Sequence, residues 1–174
     1  MSIFKKLFGG IKNSDRNFGD KKYDLEQLLS SDNLNKSIIE LDNHIGELCS
    51  YGEEMNKLTE PQKQFYLNQC LEREINNGGF NLYFFNSSGN FAHQTVQSLR
   101  TIGANKTADI LQNAIDQFPD KKVPQDRTER QEILEQIQET ADHIWEELDQ
   151  KFFVYEDDLN KLNIEYIRQH KDKF

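Results

Sequence analysis

Five carboxylates recur at Glu132, Glu135, Glu139, Asp142 and Glu146, in steps of three, four, three and four. At about 100° per residue those steps set all five on one face of a helix. The apolar residues Ile133, Leu134, Ile137, Ala141, Ile144, Trp145 and Leu148 fall nearly opposite. Consecutive carboxylates in such a row are about 4.5 to 6 Å apart along the axis, against about 3.4 Å for phosphates along one DNA strand. A basic groove built for DNA would accept the row as a sparse strand. The plainer reading is that an amphipathic helix in an acidic protein turns this face to water. Glu147, Asp149, Glu156, Asp157 and Asp158 carry the negative field past the end of the row.

Other constellations offer less chemistry. His44, His93, His143 and His170 are scattered, with no HExxH or paired ExxH spacing, so neither a zinc nor a di-iron site is expected. Glu139, His143 and Glu147 stack at i, i+4 and i+8, which is also the pattern of a solvated helix face. Ser87-Ser88-Gly89 lacks the flanks of a nucleophile elbow, and no glycine-rich phosphate loop follows a strand. The expectation is a non-enzymatic protein without cofactor or metal. One other cluster concentrates aromatics, Phe80, Tyr83, Phe84, Phe85 and Phe91, near Asn76, Asn77, Asn81 and Asn86. It reads either as a small-ligand pocket or as a core whose helix ends are satisfied by asparagines.

The elements that must position these residues are helical almost throughout. Leu34, Ile38, Leu41, Ile45 and Leu48 form one stripe ending near Gly52. Thr59-Glu-Pro-Gln62 reads as a helix start with a capping box, and the helix runs to about Asn76, where Asn77-Gly78-Gly79 is expected to stop it. Phe80 to Phe85 is the one segment where a strand competes, with Phe152 to Tyr155 as its only partner, and a short buried helix is preferred. Further helices are expected over Phe91 to Ile102, closed by Gly103, then along Ala104, Ala108, Leu111, Ile115 and Phe118. A long helix follows from about Asp126 to Gln150, and a last one from about Asp157 to Arg168 buries Leu159, Leu162 and Tyr166. The fold class is all-α, one compact multi-helix domain.

Composition agrees with one domain, because 174 residues with 36% apolar and 29% charged residues describe a modest core under a solvated surface. Cys49 and Cys70 lack CxxC spacing and lie in apolar-periodic stretches, so both are expected to be reduced core residues. No segment approaches a membrane-spanning length, and a bacterial-type cytoplasm is the expected compartment. Residues 1–22 form a basic tail and linker, in which Ile3, Phe4, Leu7, Phe8 and Ile11 make an apolar stripe beside Lys5, Lys6 and Lys12. Such a segment suits weak contact with an anionic membrane surface, or it frays, or it docks on its own domain. Lys5, Lys6, Lys12, Arg16, Lys21 and Lys22 outweigh Asp15 and Asp20 there, which leaves the helical domain of residues 23–174 at -13 within a net charge of -9.

The run Glu74-Ile-Asn-Asn-Gly-Gly-Phe80, then Tyr83-Phe-Phe-Asn-Ser87 and Leu99-Arg-Thr-Ile-Gly-Ala104, resembles the signature of the DNA-mimic-protein-like domain family. The resemblance continues through Asp126-Arg127, Glu147-Leu-Asp149 and Tyr166-Ile167, covering about residues 37–170. It implies an all-α fold, a tendency to homodimerise and, for the member that gave the family its name, binding to a DNA-binding transcription factor through a surface that imitates DNA. The matching residues Asn76, Asn77, Gly78, Gly79, Phe80, Asn86 and Gly103 read as determinants of the fold rather than of the activity.

Two further functional classes stand beside the acidic binding module, which would engage a basic DNA-binding protein and not nucleic acid itself. One is a ligand-binding or enzymatic domain using the aromatic and asparagine cluster of residues 76–91. The other is a helical domain tethered to a membrane surface by its first twelve residues.

Overall fold

The computed structural model describes residues 24–174, and the sequence expectations for residues 1–22 lie outside it. Among the described residues there are seven α-helices and no strand: α1 (Leu25–Leu29), α2 (Leu34–Leu48), α3 (Glu60–Phe85), α4 (Ala92–Thr101), α5 (Asn105–Ile115), α6 (Arg127–Phe152) and α7 (Leu159–Gln169).

Local chemistry explains where the helices begin. Asp24, Asn33, Asp126 and Asp158 each accept a backbone amide three residues on, which satisfies one of the donors that a helix start leaves unpaired. Thr59 and Gln62 close the expected capping box, with Pro61 in the first turn. α1 is too short to show a periodic signal and was not expected from the sequence.

α3 is the spine of the molecule. Its first half contributes Phe65, Tyr66 and Cys70 to one core, shared with Ile38, Leu41 and Ile45 of α2, Cys49 just past its end, and Ile164 and Ile167 of α7. Its second half contributes Leu71, Ile75, Phe80, Tyr83 and Phe84 to a larger core built with α4, α5 and α6. Both cysteines are buried free thiols. Ala104, Ala108, Leu111, Ile115 and Phe118 are all buried as the stripe requires.

Three expectations are corrected. Asn77-Gly78-Gly79 does not stop the helix: Gly79 takes the left-handed φ of 69° and the chain kinks, yet helical structure resumes and runs to Phe85, because an acceptor from another helix receives the amide exposed by the break. In α2, Leu48 is 40% exposed and Cys49 takes the buried place. In α7 the buried line is Leu159, Asn163, Ile164 and Ile167, while Leu162 and Tyr166 are half-buried, since the helix is rotated toward α2 and α3.

Candidate functional site

α6 is the element that carries the acidic row, and Trp145 fixes its rotation. The indole is fully buried between Phe84 and Phe118, with ring centroids 5.3 and 5.9 Å away, and its Nε1 donates to the Ala114 carbonyl at 3.1 Å. With that side inward, Glu132, Glu135, Glu139 and Glu146 are exposed. Asp142 is half-buried on the flank facing α3, where its Oδ1 accepts from Asn81 Nδ2 at 3.1 Å. The row therefore does not lie squarely opposite the core but borders the groove between α6 and the second half of α3. Ile144, placed on the buried stripe by periodicity, is 37% exposed on the other flank.

Among the described residues the row is electrostatically uncompensated. From Gln131 to Gln150 the helix contains no lysine or arginine, and among the described residues none of the row's carboxylates has a cationic side chain within ion-pair distance. The one pair nearby joins His143 Nε2 to Glu147 Oε1 at 3.5 Å, both exposed. Of the i, i+4, i+8 stack, Glu139 takes no part in it, and no group of three His, Cys, Asp or Glu among the described residues is placed to hold a metal ion.

The signature residues form the junction at the foot of this row. Gly78 and Gly79 break the helical backbone, and the freed Phe80 amide donates to Asp149 Oδ1 at 3.0 Å. A Cβ on Gly79 would overlap the Asp149 carboxylate, lying 2.8 Å from its Cγ, so only glycine admits this contact. Burial pushes the Asp149 carboxyl up to about 6, the Phe80 amide opposes the shift, and the like charge of Glu146 adds to it. Asn76 Nδ2 donates to the Tyr155 hydroxyl at 2.7 Å and to the Glu72 carbonyl at 2.8 Å. Asn76, Asn77, Gly78 and Gly79 on one side and His143, Glu146, Glu147 and Phe153 on the other line an open cleft of about 580 Å³.

At the other end of the row, Arg130 is a residue that sequence reasoning missed. It is completely buried, and its hydrogen bonds go to carbonyls and an asparagine rather than to a carboxylate, the charge of Asp126 acting on it only at longer range. Its Nε donates to the Phe84 carbonyl at 2.6 Å, Nη1 to the Pro124 and Gln125 carbonyls at 2.6 and 3.2 Å, and Nη2 to the Asn86 carbonyl and Asn90 Oδ1 at 2.8 and 2.7 Å. The C-terminal carbonyls of α3 supply the negative end of a helix dipole where a counterion would otherwise stand. Desolvation lowers the guanidinium's proton affinity, and Arg127 adds to that, but an arginine stays charged. Gly89 makes room, since a Cβ there would come 2.7 Å from Arg130 Nε. The available signal was phase: Arg130 is four residues before Leu134 and in register with Ala141 and Trp145.

The remaining signature residues have structural places. Asn86 ends α3 and donates to Glu74 Oε2 at 2.9 Å, and Gly103 closes α4 with φ 86°. Phe80, Tyr83 and Phe84 are fully buried and fill the core, Phe85 is exposed under the Arg127 guanidinium, and Phe91 alone of the cluster lines a second cleft with Ser87, Ser88 and Asn90. Neither of these two clefts therefore gathers the aromatics and asparagines of residues 76–91 together. No described helix is long and apolar enough to cross a membrane.

Searches of curated proteins and of solved structures returned no significant match to the chain. The kink at Gly78 and Gly79, its Asp149 acceptor and helices α3 to α7 around them lie within residues 56–170, which match the family model described as DMP19-like protein, and the chain belongs to that family.

Proposed function

We propose that this protein is a non-enzymatic binding module that offers the α6 carboxylate row to the basic surface of a DNA-binding protein, such as a transcription regulator. The observation that supports this reading is the length of uncompensated charge: a single 26-residue helix presents Glu132, Glu135, Glu139 and Glu146 to solvent with no cation partner among the described residues. A face that only solubilised the protein would gain from interspersed lysines, as on α2, where Lys36 lies 3.7 Å from Glu40. Fixing the carboxylates on one rigid helix pre-arranges their field and favours fast, steered encounter with a basic partner.

Affinity capture from native cell extract at low salt, with and without competing duplex DNA, tests the reading. A captured DNA-binding partner should be displaced by duplex, and the displacement should follow salt steeply between about 50 and 200 mM. A partner that binds equally well in the presence of excess duplex would exclude mimicry.

A further inference from the structure

The loop between α2 and α3 holds an uncommon backbone shape. Ser50, Tyr51 and Gly52 are three consecutive residues in the left-handed region, with φ of 51°, 54° and 102°. The turn lays the Tyr51 ring against Gly46, where a Cβ would come within 3.1 Å of it. It also brings Gly52 over α3: a Cβ there would lie 3.5 Å from the Tyr66 hydroxyl and 3.9 Å from Phe91 of the α3–α4 connection. The two loops thus converge above one side chain of α3, and a cleft of about 850 Å³ opens between them. Tyr66 lines it while only 3% exposed, and among the described residues its hydroxyl makes no hydrogen bond to nitrogen or oxygen. The polar groups acting on it are the thiols of Cys49 and Cys70, which are weak partners, and Arg73. A buried hydroxyl of this kind costs free energy until something entering the cleft completes it.

The charges around the cleft narrow what that something is. Arg73 pairs with Asp42 and donates to Cys70 Sγ at 3.2 Å. Arg127 donates to the Phe85 carbonyl at 3.1 Å and to Asn86 Oδ1 at 3.4 Å, with its guanidinium over the Phe85 ring. Glu74 accepts from Asn86 Nδ2 and Ser88 Oγ at 2.9 and 3.0 Å. Those three lining charges are occupied within the protein. Glu47 and Glu53 also line the cleft, are exposed and, among the described residues, have no lysine or arginine within ion-pair distance. The nearby Lys57 goes to Glu54 instead. The groups left uncommitted are therefore two carboxylates, the Tyr66 hydroxyl and the rings of Tyr51 and Phe91. Carboxylates beside aromatic faces attract organic cations, because the ring quadrupole and the Coulomb field act in the same direction. We propose that this cleft binds a small organic cation bearing an amine or guanidinium group, with its charge against Glu47 and Glu53, its apolar stem beside Tyr51 and Phe91, and a donor reaching the Tyr66 hydroxyl. An anion would meet the two free carboxylates and find both guanidiniums engaged. The site is independent of the α6 row and of the function proposed above.

Chemical-shift titration of the ¹⁵N-labelled full chain with agmatine tests the site, at about 150 mM salt so that unspecific attraction is screened. Saturable shifts should gather on the amides of residues 50–53 and 87–91, and an equal addition of potassium chloride should produce none. Glu47→Gln combined with Glu53→Gln should weaken agmatine binding at least about fivefold, and Tyr66→Phe should weaken it several-fold, both with amide dispersion unchanged. N-acetyl-arginine methylamide is the second probe. Weaker binding than agmatine supports a free small cation as the ligand, and tighter binding supports the same group carried on a protein side chain. No saturation with either probe, shifts along α6 instead of around the cleft, or equal binding by the double glutamine variant and the wild type would each overturn the proposal. A folded Tyr66→Phe variant that binds agmatine as the wild type does would also overturn it, since the unpartnered hydroxyl is what marks this cleft as a site.

Discussion

Asp149 accepts the Phe80 amide across 69 residues of sequence, in a space that a side chain at position 79 would occupy. The two glycines break α3, and a carboxylate from α6 takes over the amide that the break leaves without an acceptor. Gly79 has φ 69° and ψ -168°, a region in which any other residue is strained by about 1–3 kcal/mol. Gly79→Ala adds the overlap with Asp149 to that strain and should destabilise by at least about 3 kcal/mol in urea titrations, since the cap is displaced as well. A loss below about 1 kcal/mol would show that the junction tolerates a different path.

The same carboxylate sets a pH dependence. Its pKa is raised to about 6 in the folded protein, against an ordinary 3.8 for an aspartate, so the native state holds this proton more tightly than the unfolded chain does. Its contribution to stability is therefore fully present below the unfolded value and is lost as pH rises through about 6. Relative to Asp149→Asn, which does not titrate, wild-type stability should decline between about pH 4 and 7. Urea midpoints of both proteins across that range give the answer, and parallel curves would mean that the group is not shifted.

Arg130 should behave as a structural keystone despite being charged. Arg130→Met leaves the carbonyls of Phe84, Pro124 and Asn86 and the Asn90 side chain without a donor in a dry site, and should cost about 3–5 kcal/mol. Arg130→Lys keeps the charge but not the planar fork that reaches all of them, and should still lose at least about 2 kcal/mol. Near-wild-type urea midpoints for the lysine variant would show that charge, not geometry, is what the site requires.

Trp145→Ala should destabilise by about 3–5 kcal/mol, because a fully buried indole between Phe84 and Phe118 leaves a cavity that its packed neighbours close only in part. A loss of less than about 1 kcal/mol would mean that α6 has a different rotation.

Reversal of the row separates use from exposure. Replacing Glu132, Glu135, Glu139 and Glu146, the four exposed members, with lysine should leave the circular dichroism spectrum and melting profile nearly unchanged, since exposed charges contribute little to stability. Competition with duplex DNA for a captured partner should disappear at every salt concentration. Equal competition by wild type and variant would remove α6 from the interface.

By itself the sequence determined the helices from α2 onward, the Thr59 cap and most of the inward faces. Hydrophobic period, capping residues and helix-ending glycines are local signals, and the Thr59 box, the α2 and α5 stripes and the placement of Trp145 all followed from residues within a few turns. The family signature was also legible as a string, because its glycines and asparagines stand close together. What those glycines do was decided only by tertiary structure. Asn-Gly-Gly reads as a helix stop in isolation, and it becomes a kink because Asp149, 69 residues later, receives the Phe80 amide. Arg130 was hidden for the same reason: a buried guanidinium is tolerable only where carbonyls from Phe84, Asn86, Pro124 and Gln125 converge, and no spacing along the chain records that convergence. The acidic row had its charge and period written in α6, but α3 decided that Asp142 turns partly inward and that the row borders a cleft ending on Phe153, since a helix face has a direction only once its neighbours are in place.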